Sequence, residues 1–376
     1  MPRVATFLLV LIVIFSGAYA LSPASVNHLA RTSPIFAFVE PGTEVTGTFR
    51  IEPFARFDPD SSDYRSKAVT HDWAQNPEHD SFHYSNKAPG SFLVGIPIYF
   101  LLYVTESAMG IQPEGSTPTY INIYLLNFFL SVLPAAFLVL YLQKIIFFLS
   151  AMSWRESAGL ALILYHTTLL WPYSQQLWGH VPAAFCVTLA FWHYLKATRN
   201  NERRPFIWCG LWTGIATLTE YSGGILVLVI LAAVLWKQNW KGVMLIIAGG
   251  LGPFVLYAAY HQICFGSILT TANYFNHPAF KEASGSAFRM IDLAVALKLL
   301  VSPFRGLFWF SPVLLLLAVI PFNRGDTSSY RDIRWMCLCI ALAYLLMNAS
   351  FNGWHGGKCA GPRYLIPMYP CLFILI

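Results

Sequence analysis

Ten apolar runs punctuate the 376-residue chain, at 4–21, 119–143, 156–175, 181–195, 206–219, 222–236, 242–262, 306–322, 335–350 and 364–376, most of them joined by short connections. A water-soluble domain has no core large enough to hide so many. A bilayer does, because a helix rising about 1.5 Å per residue crosses its roughly 30 Å hydrocarbon layer with every backbone polar group satisfied internally. The pattern therefore predicts an all-α polytopic membrane protein with about ten transmembrane helices. Charge supports this: 11% of residues are charged and 56% apolar, against about 25% charged in ordinary soluble domains. Disorder, collagen-like repeats and a disulfide-stapled module are excluded, and Cys186, Cys209, Cys337, Cys339 and Cys371 read as packing residues within apolar runs.

The first run follows Arg3 and ends in Ala18-Tyr19-Ala20, which fits a signal peptide or, as favoured here given the later spans, an uncleaved membrane anchor. From Ser22 the character turns polar, so 22–118 is read as one extracytoplasmic loop carrying a juxtamembrane helix at 91–104. The stretch Phe206 to Trp236 is interrupted by Glu220-Tyr221-Ser222-Gly223-Gly224 and is read as two short helices with a tight outer turn. With these placements every short basic cluster falls on one side, which then holds twelve Lys and Arg against four Asp and Glu. The positive-inside rule makes that side cytoplasmic. The expected location is the inner cell membrane, N-terminus in the cytoplasm, with the first loop, His180, Glu220-Tyr221 and the loop 351–363 on the opposite, active face. The net charge of +6 is thereby a topology signal, and no nucleic-acid partner is expected. All of 1–376 reads as one integral membrane domain. Its last run, ending Cys371-Leu372-Phe373-Ile374-Leu375-Ile376, is too short to span, so the natural protein is expected to continue past it.

Chemistry gathers on the outer side. Lys87 precedes Ala88-Pro89-Gly90 and an apolar helix, which sets an ammonium at headgroup depth beside a helix N-terminus, a pairing suited to phosphate or to plain snorkelling. Asp72, followed by the interface-seeking Trp73, lies close enough in sequence to act as a general base beside a phosphate-binding cation; Glu44, Glu52, Asp58 and Asp63 compete for that role. His71, His79, His83 and Asp80 could suggest a metal, but no HExxH or cysteine pair accompanies them, and neither a metal nor another cofactor is expected. His180 sits at a turn before a span and Glu220-Tyr221 at the helix break. The late segment from Gly353 to Leu365 combines glycines for close backbone approach, Trp354 as a flat sugar-stacking surface, His355, Lys358, and Arg363 as a bidentate phosphate fork.

One helix, a long outer loop ending Tyr84-Ser85-Asn86-Lys87-Ala88-Pro89-Gly90, many short spans and the late Gly-Trp-His-Gly-Gly-Lys-Cys-Ala-Gly-Pro-Arg-Tyr-Leu together resemble the GT-C superfamily of membrane glycosyltransferases. The chain is most similar to polyprenyl-phosphate-dependent members of the protein mannosyltransferase and aminoarabinose transferase type (glycosyltransferase family 39-like). Lys87 matches the phosphate-holding Lys-Pro-Pro-like element with Ala for the first Pro, and Asp72-Trp73 resembles the Asp-Trp before it. The acidic pair that many members carry after the first helix has no clear counterpart; Glu44 and Glu52 are the nearest. The resemblance implies an inverting sugar transfer from a polyprenyl-phosphate donor to a lipid, glycan or protein hydroxyl. Asp72 would be the base, Lys87 and Arg363 the lipid-phosphate ligands, and Trp73, His180, Glu220, Tyr221, Trp354, His355 and Lys358 the pocket. The main rival is a transporter or flippase of lipid-linked sugars, against which stands the absence of a convincing repeat.

Overall fold

The computed structural model describes residues 2–18, 26–54, 72–277, 287–319 and 328–376. It is almost wholly helical. Among the described residues four helical stretches are long and apolar enough to cross a membrane: Gly90–Ala108, Ser116–Leu149, Trp240–Phe265 and Arg331–Ser350. Val4–Gly17, Tyr221–Trp236 and Arg363–Leu375 are apolar but shorter. Of the ten apolar runs, two described in part or whole are divided into shorter pieces. The run 306–322 becomes α13 (Leu307–Phe310), a 3-10 turn at Pro312–Leu315 and α14 (Leu316–Val319), because Pro312 cannot continue the ladder begun by α13. The last run begins as a 3-10 segment, Arg363–Met368, before α16 (Tyr369–Leu375).

The polar segment read as an outer loop is more structured than its polarity suggested. Helix α2 (Val26–Val39) lies within it and is buried along most of its length despite carrying His28, Arg31, Thr32 and Ser33. Helix α3 (Gly90–Ala108) covers the expected juxtamembrane segment 91–104 and, at 19 residues, extends beyond it at both ends. Between them, Trp73–Ala74 (β1) and Tyr84–Ser85 (β2) form a two-stranded antiparallel ribbon with Trp73 opposite Ser85. The segment around Asn276 joins it through a bridge to Ala74. These pieces share a core with Phe36, Phe92, Tyr99, Tyr260 and Phe265, packed against the end of α11 (Trp240–Phe265).

A second, larger core runs through the bundle. Helix α4 (Ser116–Asn127) passes through a π-helical turn at Phe128–Val132 into α5 (Leu133–Leu149), the bulge falling just before Pro134, which lacks the N–H an unbroken ladder needs. Then come α6 (Trp154–His166), α7 (Leu170–Ser174), α8 (His180–Arg199), α9 (Pro205–Thr219), α10 (Gly224–Trp236), α12 (Leu293–Val301) and α15 (Ser328–Ser350). The interruption at Glu220 is where expected, between α9 and α10, and Gly223 lets the returning chain touch the backbone of Ala216.

Helices α9 and α11 approach through small residues. A Cβ on Gly210 would strike the Ile246 carbonyl, one on Gly249 the Ile207 carbonyl, and one on Gly214 the ring of Pro253. Gly210 and Gly214 are spaced as in the small-xxx-small pattern that lets helix backbones meet in lipid. Gly210→Val should therefore lower the unfolding free energy in detergent by about 2 kcal/mol through overpacking. Gly252→Ala, where the added carbon meets nothing within 4 Å, should leave the melting midpoint unchanged or slightly raised.

Candidate functional site

Three bends converge. The ribbon register sets Asp72, just before β1, opposite Asn86, just after β2, so residues 14 and 15 positions apart become neighbours. The Lys87 ammonium lies 2.9 Å from the Asp72 carboxylate. Pro89 then opens α3, and Gly90 sits so close to Leu218 and Thr219 that a side chain there would clash with their backbone. This fixes the Lys87 segment against the C-terminal end of α9. Glu220, in extended conformation, caps α9 and turns its carboxylate toward Gly179, where any Cβ would occupy its place. Arg31 reaches the same oxygen from α2: its Nη2 donates to Glu220 Oε1 at 3.0 Å, and His180 Nδ1 lies 3.4 Å from that oxygen. Arg31 also donates to Asn27 one turn earlier.

These groups surround a cavity of about 380 Å³. Arg31, Lys87, His180, Glu220, Tyr221 and Arg363 contribute to its wall, with four asparagines, Asn27, Asn86, Asn273 and Asn276, and the rings of Phe288, Phe351 and Tyr364. Tyr221 donates to the Lys87 carbonyl at 3.4 Å and meets His261 Nε2 at 3.1 Å. Arg363 lies over the rings of Trp178 and Tyr364, 4.8 Å from each centroid, and donates to the Tyr364 hydroxyl at 2.9 Å. Its buried Nε finds no acceptor, and among the described residues it makes no ion pair.

Of the residues singled out in the sequence, Lys87, His180, Glu220, Tyr221 and Arg363 line the cavity, and Asp72 stands behind Lys87. Trp73 does not line it; its ring is edge-on between His83 and His277, at 4.6 and 4.8 Å. Trp354, His355 and Lys358 also lie off the wall, Trp354 packing toward Phe304 at 6.4 Å. Asp58, Asp63 and His71 fall outside the described residues. Glu44 is exposed, and Glu52 is engaged by the backbone and ring of His83.

Two arginines escaped the sequence reading. Arg31 was hidden in what looked like polar loop. Arg305 is buried and ties down the late glycine-rich loop, its guanidinium donating to the carbonyls of His355 (2.5 Å), Gly357 (2.6 Å) and Cys359 (2.5 Å). That loop turns through Gly356, Gly357 and Gly361 at φ of +72°, +70° and +59°, a left-handed path that favours glycine, and so delivers Arg363 to the cavity.

Charge sets the protonation of the central pair. Burial alone would raise the Asp72 carboxyl, but the ammonium of Lys87, with Arg363 and Arg31 beyond, outweighs it and holds the group below its ordinary value. Burial lowers Lys87, opposed by Asp72 and reinforced by Arg31 and Arg363. Asp72 is therefore a carboxylate and a weak base while Lys87 holds it.

No protein-family model matches this chain, and no curated protein sequence does. Among solved structures its backbone is similar to that of ArnT from Cupriavidus metallidurans, in a crystal structure bound to undecaprenyl phosphate. The TM-score is 0.53 at 15% identity, over 99% of this chain and 59% of that one. The two chains share a fold. This chain thus spans less than two thirds of that protein's length, and the likeness concerns architecture.

Asp72→Asn leaves Lys87 buried without its counter-charge and should cost about 3 kcal/mol of stability, with a double variant Asp72→Asn/Lys87→Gln losing less than the sum. The pH dependence has a defined sign. A carboxyl held below its unfolded value stabilises the fold fully above that value, near 3.8, and ceases to do so as pH falls through the folded one. Acid melts below about pH 4 should therefore narrow the gap between wild type and Asp72→Asn.

Proposed function

We infer that this chain transfers a sugar from a polyprenyl-phosphate donor to an acceptor hydroxyl on the extracytoplasmic face of the cell membrane, with inversion at the anomeric carbon. The observation that carries this reading is the charge balance of the cavity. Among the described residues, the carboxylates that Arg31, Lys87 and Arg363 meet are Glu220 and Asp72, which leaves a surplus positive charge beside Arg363. An anion is the natural occupant, and a phosphodiester carried on a lipid supplies a single negative charge at a membrane edge. A GT-C-like fold similar to that of a protein crystallised with undecaprenyl phosphate supports the choice of lipid. A cavity of about 380 Å³ lies within the usual range of roughly 300–1,000 Å³ for small-molecule sites.

The chemistry assigned to these residues is as follows. Lys87 and Arg363 bind the donor phosphate. When phosphate takes over the ammonium, Asp72 loses its counter-ion, regains basicity and accepts the proton of the acceptor hydroxyl. The acceptor oxygen forms its bond to the anomeric carbon as the bond from that carbon to the phosphate oxygen breaks. The electron pair leaves with the polyprenyl phosphate, now a monoester, whose added charge the same cations stabilise. His180, Glu220 and Tyr221 contact the sugar, while Trp354, His355 and Lys358 belong to the loop that presents Arg363.

Transfer of radiolabel from polyprenyl-phosphate sugars in membranes carrying the protein tests the reading. Asp72→Asn and Lys87→Ala should each lower the rate by at least about 100-fold. If no donor is consumed while labelled lipid crosses the bilayer, the protein is a flippase and the transfer reading falls.

A further inference from the structure

Among the described residues the charged side chains of the cavity wall are Arg31, Lys87, Glu220 and Arg363, with Asp72 behind Lys87; the rest of the wall is amide, hydroxyl, imidazole and apolar. With His180 as the neutral imidazole, which its burial and then the cations Arg363, Arg31 and Lys87 favour, the ionic groups among the described residues are three cations and two carboxylates. One donor phosphodiester closes the sum to zero. Glu220 stays engaged by Arg31 at 3.0 Å, and Asp72, 2.9 Å from Lys87 in the empty cavity, is the carboxylate that the bound phosphate releases for the proton of the acceptor hydroxyl.

What remains for a sugar is the chemistry of uncharged hydroxyls. Asn86 and Asn276 are 6% exposed, and the Oδ1 of each is buried without a partner. A buried amide oxygen without a partner costs free energy, and a turn of either side chain toward the cavity would let a sugar hydroxyl donate to it. Phe351, Phe288 and Tyr364 add the apolar surface on which sugar rings rest.

We propose that the cavity selects an uncharged sugar, one bearing neither an amine nor a carboxylate, with the Arg31–Glu220 pair and the asparagine wall as its specificity determinants. The proposal rests on the transfer reading above. A protonated amino sugar would add a cation to a cavity whose charges already sum to zero, and an ammonium paired with Asp72 would quench the base that the transfer needs. A uronic acid would add an anion beyond the one the phosphate already supplies. Either leaves a buried charge uncompensated, which is expensive in a desolvated site.

The test is kcat/KM for three polyprenyl-phosphate donors that differ in the sugar: a neutral hexose, a 4-amino sugar and a uronic acid. The wild-type chain should prefer the neutral donor on the order of 100-fold over either charged one. Glu220→Gln, which leaves Arg31 unopposed, should shift the ratio toward the uronic acid donor. Arg31→Gln, which frees Glu220, should shift it toward the amino donor; the glutamine variant at Glu220 stands alone if the arginine variant does not fold. A wild-type preference for a charged sugar, or a ratio unmoved by Glu220→Gln, overturns the proposal while leaving transfer intact. Failure to consume any of the three donors removes the transfer reading and the proposal with it.

Discussion

Three cations, Arg31, Lys87 and Arg363, are gathered around one cavity at the edge of an apolar bundle, and much of the surrounding architecture serves to hold them there. A buried charge is tolerated only when paired and hydrogen-bonded. Two of the three are paired, one with a residue from the ribbon and the other with a residue from the α9–α10 bend. The third rests on aromatic faces and a tyrosine hydroxyl. That arrangement stores attraction for an anion while keeping the empty site soluble in its own surroundings.

The glycines show how closely the elements must meet for this to happen. Gly90 brings α3 onto the backbone at Leu218 and Thr219, Gly179 makes room for the Glu220 carboxylate, and Gly223 lets the chain reverse immediately afterward. Arg305, far from the cavity wall in sequence and absent from it in space, holds the late loop by its carbonyls so that Arg363 arrives at a fixed place. Ion pairs of this kind are exchangeable. In the proposed reaction a phosphate on Lys87 would release Asp72, so that a single binding event would turn a counter-ion into a base.

Much of this was legible in the sequence, for identifiable reasons. Apolar runs announced the helical membrane-type fold because hydropathy is summed over many residues and tolerates local noise. The break at Glu220-Tyr221-Ser222-Gly223-Gly224 was visible because charge and paired glycines interrupt an otherwise continuous apolar stretch. Asp72 was chosen for its nearness in sequence to Lys87, yet their direct ion pair depends on the register of a ribbon only two residues long in each strand, which no periodicity reveals. Arg31 was missed because a helix that turns polar residues toward a buried cavity loses the apolar stripe by which helices are recognised. The expected grouping of Trp354, His355 and Lys358 with the cavity failed for a related reason. Nearness in sequence to Arg363 does not survive a loop with three left-handed glycines, which turns neighbours in different directions. Pro312 and the Arg363–Met368 segment divide apolar runs that composition alone treats as whole, because hydropathy does not register a local break in the hydrogen-bond ladder.

The measurement that bears most directly on the account is a structure of the protein with polyprenyl phosphate bound. The account predicts phosphate oxygens within hydrogen-bond distance of Lys87 Nζ and the Arg363 guanidinium, with the contact from Lys87 to Asp72 lengthened beyond ion-pair range and the Arg31–Glu220 pair intact. Phosphate bound elsewhere, with Lys87 still closed on Asp72, would contradict it.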